Sequence, residues 1–449
     1  MWQIDMGRAR GGFCDRVSRR QALRLGGTGL IAGLTLPRLM QMQAQAATPR
    51  PARAQACIFL FLEGGPSTID MWDLKPEAPP EIRGPYKPIP TSVPGTFISD
   101  QLPHCAKVAD KFTILRSHSH NDNGHSTGYH YVMTGYKANF PDGNPLVPNN
   151  TLYPSVGSIV SRELGPRGSF PPYINVPNPM GAGGPGFYGA EHAPFVIESD
   201  PVQPDFEVKD LHVSRGIGTY RVRSRRKLLA GMDQLHGGRE LEGRAGVMAT
   251  YYDKAYDIFT SPAAKQAFDL KSEPQQLREE YGHTSLGQCA LLSRRLVEAG
   301  CRFVGVDHGS WDTHFDCFPS QSKDLFPHAD KAYSALVRDL DDRGLLDSTL
   351  VVMMGEMGRT PRINGRAGRD HWSMAQSVIL TGGGIKPGQV VGATDQQAAA
   401  PISHLVGVED LLKTVFHLLG VDTSKTYYTP IGRPVPIVSG GRVVTELLG

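Results

Sequence analysis

Cysteine, net charge and apolar runs long enough to cross a membrane are all scarce in this 449-residue sequence. It has six cysteines, of which Cys14 lies in the N-terminal segment. The other five are an odd number, and no two of them have Cys-x-x-Cys spacing. This pattern argues against a zinc–thiolate site and against a dense disulfide scaffold.

The formal charge of +3 comes from the N-terminal segment. Residues 1–46 hold seven arginines and two aspartates, and the rest of the chain carries 40 basic against 42 acidic residues. A near-neutral chain has no general attraction for nucleic acid or for an anionic membrane surface. We therefore expect no nucleic-acid partner. We also expect no membrane span in the mature chain, because it contains no transmembrane-length apolar segment.

The N-terminal segment, "SRRQALRLGGTGLIAGLTLPRLMQMQAQA", resembles a twin-arginine export signal. It has paired Arg19 and Arg20, an apolar stretch over 26–36 and a small-x-small cleavage site ending at Ala46. A membrane anchor is the alternative, but this stretch is shorter than the ~20 residues a span needs and is followed by Pro37. We expect residues 1–46 to be removed, the export machinery to be a partner, and the protein to be periplasmic or secreted. Because this route carries folded proteins, often with a cofactor already loaded, a metal becomes a reasonable expectation.

From residue 47 onward, apolar runs of strand length alternate with segments of helical periodicity. The first run, "ACIFLFLEGG", is continuously apolar and ends in two glycines, as strands buried on both faces do. The alternation predicts a doubly wound α/β fold, with a mainly parallel sheet and helices on both faces. The 51 glycines and 35 prolines predict long irregular loops. We expect one domain over 47–449, with an insertion around 136–245.

In such sheets, ligands bind beyond the carboxyl ends of the strands, and reactive side chains follow several of the apolar runs. "EGGPSTIDMWD" offers a nucleophile or anion contact in Ser67 and cation ligands in its acids, although turns and helix caps are the alternative. "SHSHNDNGHSTGYHYVMTGY" is dense in imidazoles, which bind metals and move protons, although each is singly explained by packing. The candidates in these two segments are Glu63, Ser67, Asp70, Asp73, His118, His120, His125 and His130.

Two further segments pair carboxylates with imidazoles. "VDHGSWDTHFD" places an aspartate and a histidine two residues apart on a turn, where both can face one cation unless the aspartate caps a helix. "GEMGRTPRINGRAGRDHW", after "STLVVMM", adds a glutamate at a strand end and an Asp-His pair, with arginines for an oxyanion or for surface salt bridges. Together these loops could hold one or two divalent cations that clamp an oxyanion ester. The candidates are Asp307, His308, Asp312, His314, Glu356, Arg359, Arg362, Arg369, Asp370 and His371.

The order of these segments resembles the alkaline phosphatase and sulfatase superfamily, and more closely its bacterial branch called domain of unknown function 1501. The resemblance runs from "FLFLEGGPSTIDMWDLKP" to "GRPVPIVSGG". It implies an alkaline-phosphatase-like fold with a one- or two-metal site at the strand ends. By resemblance, Glu356 stands at a metal-binding aspartate, and Met357 stands where a second ligand is expected, a role that His371 could take over.

By the same resemblance, His125 occupies the position of the nucleophilic cysteine or serine. A histidine cannot become formylglycine, so His125 could be nucleophile, base or metal ligand, with Ser67 or the adjacent Ser126 as other nucleophiles. The sequence leaves these alternatives open. The predicted site has His125 and Ser67 as catalytic residues, Arg359 as a substrate contact, and Asp70, Asp312, His314, Glu356, Asp370 and His371 as metal ligands.

The leading hypothesis is an exported hydrolase of phosphate or sulfate esters that uses one or two divalent ions of Zn, Mg, Mn or Ca and acts on a small-molecule or glycan ester. The alternative is a metal-stabilised, catalytically impaired binding protein for sulfated or phosphorylated glycans. A third reading is a structural protein whose loop acids and histidines only cap and cross-link, and that reading predicts no bound metal.

Overall fold

The computed structural model describes residues 52–138, 150, 152–168, 170–208 and 261–449. The predicted signal over 1–46 and much of the predicted insertion around 136–245 lie outside these residues. No helix in the described part of the chain has both the length and the apolar character that a membrane crossing needs.

The centre of the structure is an eight-stranded sheet in the order β8-β2-β7-β6-β1-β5-β3-β4. Strand β1 lies near the middle and pairs in parallel with β5 on one side and β6 on the other. All seven residues of β1 are buried, as the continuous apolar run predicts. The strands are β1 Ala56–Leu62, β2 Phe112–His118, β3 Tyr173–Val176, β4 Phe195–Val196, β5 Phe303–His308, β6 Thr349–Met354, β7 Gln376–Thr381 and β8 Gln389–Val391.

Strand β7 runs against its neighbours. It pairs antiparallel with both β2 and β6, while the other pairings in the sheet are parallel. The sheet is therefore mixed but mainly parallel, and the prediction of a doubly wound α/β fold is confirmed. Since β7 enters from the edge where its neighbours end, the residues just before Gln376 lie at that edge.

Helices cover both faces of the sheet. Alternate residues of β1 enter two different cores, because successive side chains of a strand point to opposite faces. α8 and α10 pack on one face, and α4, α5 and α11 pack on the other. The helices are α1 Thr68–Met71, α2 Pro80–Arg83, α3 Pro103–Lys107, α4 His125–Thr134, α5 Val156–Leu164, α6 Pro262–Phe268, α7 Gln275–Tyr281, α8 Ser285–Glu298, α9 Cys317–Ser320, α10 Phe326–Asp342 and α11 Val408–Leu419.

Helix α4 is the element that brings His125 to the carboxyl edge of the sheet. It begins after Gly124, whose N–H donates to the Asp122 carboxylate, and it ends at Gly135 in the left-handed conformation. Tyr129 stacks on Phe61 of β1 with ring centroids 4.0 Å apart, which fixes the helix against the centre of the sheet. The first residue of α4 is thereby held beside the end of β1.

Candidate metal centre

Loops from four strands meet at one edge of the sheet. β1, β2, β5 and β6 all run in the same direction, so their carboxyl ends lie together. The strand order places β1 between β5 and β6, and crevices at such carboxyl ends are the usual ligand sites of open α/β sheets.

Three histidine side chains converge on the carboxylate of Asp312. Its Oδ1 lies 3.0 Å from His314 Nε2 and 3.2 Å from His371 Nε2, and its Oδ2 lies 3.3 Å from His125 Nε2. The Nε2 atoms of His314 and His371 are 2.9 Å apart. His125, Asp312 and His371 each offer a ligand atom within 4.8 Å of the others, and the carboxylate of Asp312 is 44% exposed. The cluster is therefore open to solvent on one side.

The other ring nitrogen of each histidine faces a fixed acceptor. An acceptor at Nδ1 holds the proton there and leaves the lone pair on Nε2, which is how metal-binding histidines are usually oriented. The Nδ1 contacts are His125 to Glu356 Oε1 at 2.6 Å, His314 to Asp370 Oδ1 at 2.6 Å, and His371 to the Asn123 carbonyl oxygen at 2.7 Å.

This donor set fits a divalent cation. Ligand distances of about 2.0–2.2 Å place neighbouring donors about 3.0–3.5 Å apart, and the contacts around Asp312 fall in or close to that range. Two unprotonated Nε2 atoms only 2.9 Å apart would repel each other, and a shared cation would remove that repulsion. The imidazole-rich set suits zinc or a similar transition metal better than calcium or magnesium, which favour oxygen ligands.

The charges around the cluster favour an added positive charge. Hydrogen bonds to Asp312 and then to Glu356 raise the pKa of His125 to about 9. Burial would raise the pKa of Asp312, but hydrogen bonds from His125, His371 and Arg359 hold it well below its usual range. A bound cation would displace the Nε2 proton of His125 and take over its charge balance with Asp312 and Glu356.

Glu356 is held behind His125 and away from solvent. The Gly64 N–H donates to both of its carboxylate oxygens, at 2.9 and 3.1 Å, and its side chain is 1% exposed. Gly64 has φ +112°, and a Cβ there would lie 2.3 Å from the Asp312 nitrogen, so only glycine fits this close approach. The structure thus shows Glu356 supporting His125, on the opposite side of the ring from Asp312.

Arg359 is fully buried beneath the centre. Its guanidinium donates to Asp312 Oδ1 at 2.6 Å and to the carbonyl oxygens of Gly65, Gly64 and Trp311. These bonds fix the loop after β1 to the loop after β5. The predicted substrate contact therefore faces protein groups in this structure, and one of them is the carboxylate at the centre of the cluster.

Ser67 and Asp70 belong to a separate buried group. Asp70 accepts two hydrogen bonds from Arg369, at 2.8 and 2.9 Å, and a third from the Ser67 hydroxyl at 2.6 Å. All three side chains are buried. Arg369 also donates to the carbonyl oxygens of Thr360 and Ile82, which ties the loop before Asp370 to α1 and α2. These are the predicted site residues that the structure does not bring to the histidine cluster.

Glu63 and Asp307, two acids that the sequence offered as candidate cation ligands, lie beside the cluster. Burial raises the pKa of Glu63, with the Glu356 charge second and His125 opposing. Burial, followed by the charge of Glu63, raises the pKa of Asp307 to about 8 although the Tyr129 hydroxyl donates to it at 3.1 Å. The contact from the Asn123 carbonyl to His371 was missed entirely, because a backbone acceptor leaves no mark in residue type.

A family model described as "Protein of unknown function (DUF1501)" matches residues 54–448 of the chain. No curated protein matches the chain.

Several solved structures resemble the chain at low identity. PsFucS1 sulfatase from Pseudoalteromonas sp. is 14% identical, with 91% of this chain and 74% of that chain covered and a TM-score of 0.39. A protein in the alkaline phosphatase superfamily from Vibrio parahaemolyticus is 11% identical, with 86% and 70% covered and a TM-score of 0.37. Phosphonate monoester hydrolase SpPMH from Silicibacter pomeroyi is 12% identical, with 88% and 76% covered and a TM-score of 0.33.

Proposed function

The chain belongs to the DUF1501 family, and we propose that it is a metal-dependent hydrolase of phosphate or sulfate esters. The observation that carries the proposal is the convergence of three histidine Nε2 atoms on Asp312, with each Nδ1 held by an acceptor. Acceptors at Nδ1 orient histidine ligands in metal sites, and here they turn three Nε2 atoms toward one carboxylate. The resemblance of the surrounding motifs to phosphatases and sulfatases supports the choice of ester.

In this proposal His125, Asp312, His314 and His371 hold one divalent cation, with zinc or a similar metal preferred. When bound, the cation supplies positive charge that polarises an ester oxyanion and neutralises the charge that develops on it. Glu356 and Asp370 keep His125 and His314 in the required orientation, and Arg359 fixes Asp312. These supporting groups sit behind the imidazole rings or beneath the carboxylate.

The beginning of α4 supplies a second contact for an anionic ester. His125 is the first residue of this ten-residue helix, and the Gly124 cap offers no side-chain hydrogen bond to its first amides. Helix N-termini favour anions because unpaired N–H groups and the helix dipole point at them. An ester oxyanion beside Asp312 and His125 would meet these amides.

We propose that water, and no side chain of the protein, attacks the ester. In this proposal both nitrogens of His125 are engaged, Nδ1 with the Glu356 carboxylate and Nε2 with the cation. The Ser67 hydroxyl donates to Asp70 in a buried group, and Ser126 is 4% exposed. Direct attack by water resolves the conflict that a histidine at the nucleophile position created, because no covalent intermediate is needed.

Removing the metal tests the proposal. Purified protein is expected to hydrolyse p-nitrophenyl phosphate or p-nitrophenyl sulfate, and dialysis against a chelator should lower the rate by about 100-fold or more. Added Zn²⁺ should restore it. The matched control is the same dialysis with chelator already saturated with Zn²⁺. Full turnover by metal-free protein would falsify the proposal, and bound metal without turnover of either ester would favour the glycan-binding alternative.

We also propose that residues 1–46 direct export by the twin-arginine route and are then cleaved, because paired arginines precede a short apolar stretch and a small-x-small site. Protein recovered from the periplasm or medium should have the mass of a chain that starts after Ala46. Replacing Arg19 and Arg20 by lysine should retain the precursor inside the cell. Unchanged export of that variant would refute the assignment.

A further inference from the structure

Phe315 and Arg366 form an exposed pair at the edge of the metal centre. Phe315 directly follows His314, and their ring centroids are 6.3 Å apart. The guanidinium carbon of Arg366 lies 3.9 Å from the centroid of the Phe315 ring, which is 62% exposed. An aromatic ring and a cation are thus presented to solvent immediately beside one of the histidines.

The backbone segments that carry this pair are joined by hydrogen bonds and include two residues with unfavourable φ angles. The Asp316 N–H donates to the Arg366 carbonyl oxygen at 2.9 Å, and the Cys317 N–H donates to the Ala367 carbonyl oxygen at 3.0 Å. Asp316 has φ +37° and Ala367 has φ +55°, values that non-glycine residues rarely adopt. Strained residues of this kind persist where the surroundings hold them, and they cluster at ligand sites.

The two loops also touch closely behind the pair. A Cβ at Gly368 would lie 2.1 Å from the His314 carbonyl carbon, so the chain around Arg366 is packed directly onto the histidine segment. The backbone segments that carry Arg366 and His314 are therefore packed against each other. Single exposed apolar side chains are common, and what distinguishes Phe315 is its place between His314 and the guanidinium of Arg366.

The guanidinium of Arg366 is accessible to an anionic group of a ligand. It is exposed, and among the described residues its guanidinium stacks on Phe315 and forms no ion pair, although its charge helps to hold the pKa of Asp370 below the usual range. A guanidinium stacked on an aromatic face can still donate hydrogen bonds from its edge to a carboxylate, phosphate or sulfate. The pair thus combines a flat apolar surface with an anion contact.

We propose that Phe315 and Arg366 bind the alcohol part of the ester, and that this alcohol is a ring that carries a second anionic group. The inference rests on the proposed function and specifies its substrate class. The ring would lie against Phe315, and the second anion would meet Arg366, while the ester group lies at the histidine cluster. Chain-like neutral alcohols would gain nothing from either contact.

Three phosphate esters test this subsite, with the corresponding sulfates run in parallel: methyl, phenyl and 4-carboxyphenyl phosphate. Phe315→Ala should lower kcat/KM for the two ring esters by about fivefold to tenfold, mainly through KM, and leave methyl phosphate unchanged. Arg366→Gln should reduce the preference for the carboxyphenyl over the phenyl ester by about threefold. Metal content and the thermal midpoint should stay at wild-type values in both variants.

Phe97→Ala and Arg362→Gln are the matched controls, because both residues are exposed and lie outside the histidine cluster. Equal losses on all three esters, or no change in either test variant while the wild type turns esters over, would overturn the subsite and leave the proposed function standing. Failure of the wild type to hydrolyse any ester would overturn both.

Discussion

Protein carrying His371→Ala is expected to purify with almost no divalent metal and with no measurable ester hydrolysis. His371 Nε2 lies within 3.2 Å of both Asp312 Oδ1 and His314 Nε2, so the substitution removes a donor from the middle of the cluster. Asp370→Ala should have a smaller effect, a loss of about 10–100-fold in metal affinity, because Asp370 only orients His314 through Nδ1. Elemental analysis and metal titration of each purified variant measure the difference.

Arg362→Ala is the control for these substitutions. Its side chain is 77% exposed, and its nearest acidic partner, Glu81, is 3.9 Å away, so metal content should match the wild type. Circular dichroism of each variant shows whether the fold is intact. If His371→Ala, Asp370→Ala and Arg362→Ala bound equal amounts of metal, the histidine cluster would not be the metal site.

The fold was largely predictable, because a continuous apolar run of strand length is typical of a strand inside a sheet that is covered on both faces. The direction of β7 could not be predicted from the sequence. The apolar pattern of its run, "QSVILT", fits a strand that runs in either direction. The actual direction depends on the chain that precedes the strand. The strands Gly358–Arg359 and His371–Trp372 pair as a hairpin that stays at the carboxyl edge, so the next strand has to run back across the sheet.

The sequence identified the loops of the site but could not divide their residues into ligands and supports. Asp370 and His371 are neighbours, and neighbouring side chains of an extended segment point to opposite sides. One therefore reaches the back of His314, and the other faces Asp312. Glu356 is a comparable case, since its role depends on Gly64, which is 292 residues away in the chain.

The position of Asp70 within "EGGPSTIDMWD" likewise did not indicate its partner. An aspartate shortly after a strand end has the same residue type whether it binds a cation or a guanidinium. The partner, Arg369, is 299 residues away, and its own segment predicts only a contact for an oxyanion or a surface salt bridge. Burial of both groups, which residue type does not show, is what makes the ion pair the dominant interaction here.

Asp70→Asn is expected to lower the free energy of unfolding by about 3–5 kcal/mol while leaving metal stoichiometry at saturating zinc unchanged. Both carboxylate oxygens of Asp70 bind Arg369, and neither side chain is exposed, so the substitution leaves a buried guanidinium without its counter-charge. Urea denaturation of the zinc-saturated protein measures the loss.

Asp341→Asn provides the comparison for that loss, because it breaks an aspartate ion pair of the opposite character. Asp341 pairs with Lys111 at the surface, where the side chains are 42% and 32% exposed, and its replacement should cost less than about 1 kcal/mol. A large difference between the two variants would show that Asp70 stabilises the loop carrying Asp370 through the buried ion pair. Loss of bound zinc from Asp70→Asn with stability unchanged would instead return Asp70 to the metal ligands, because removing a ligand empties the site without leaving a charge buried in the core.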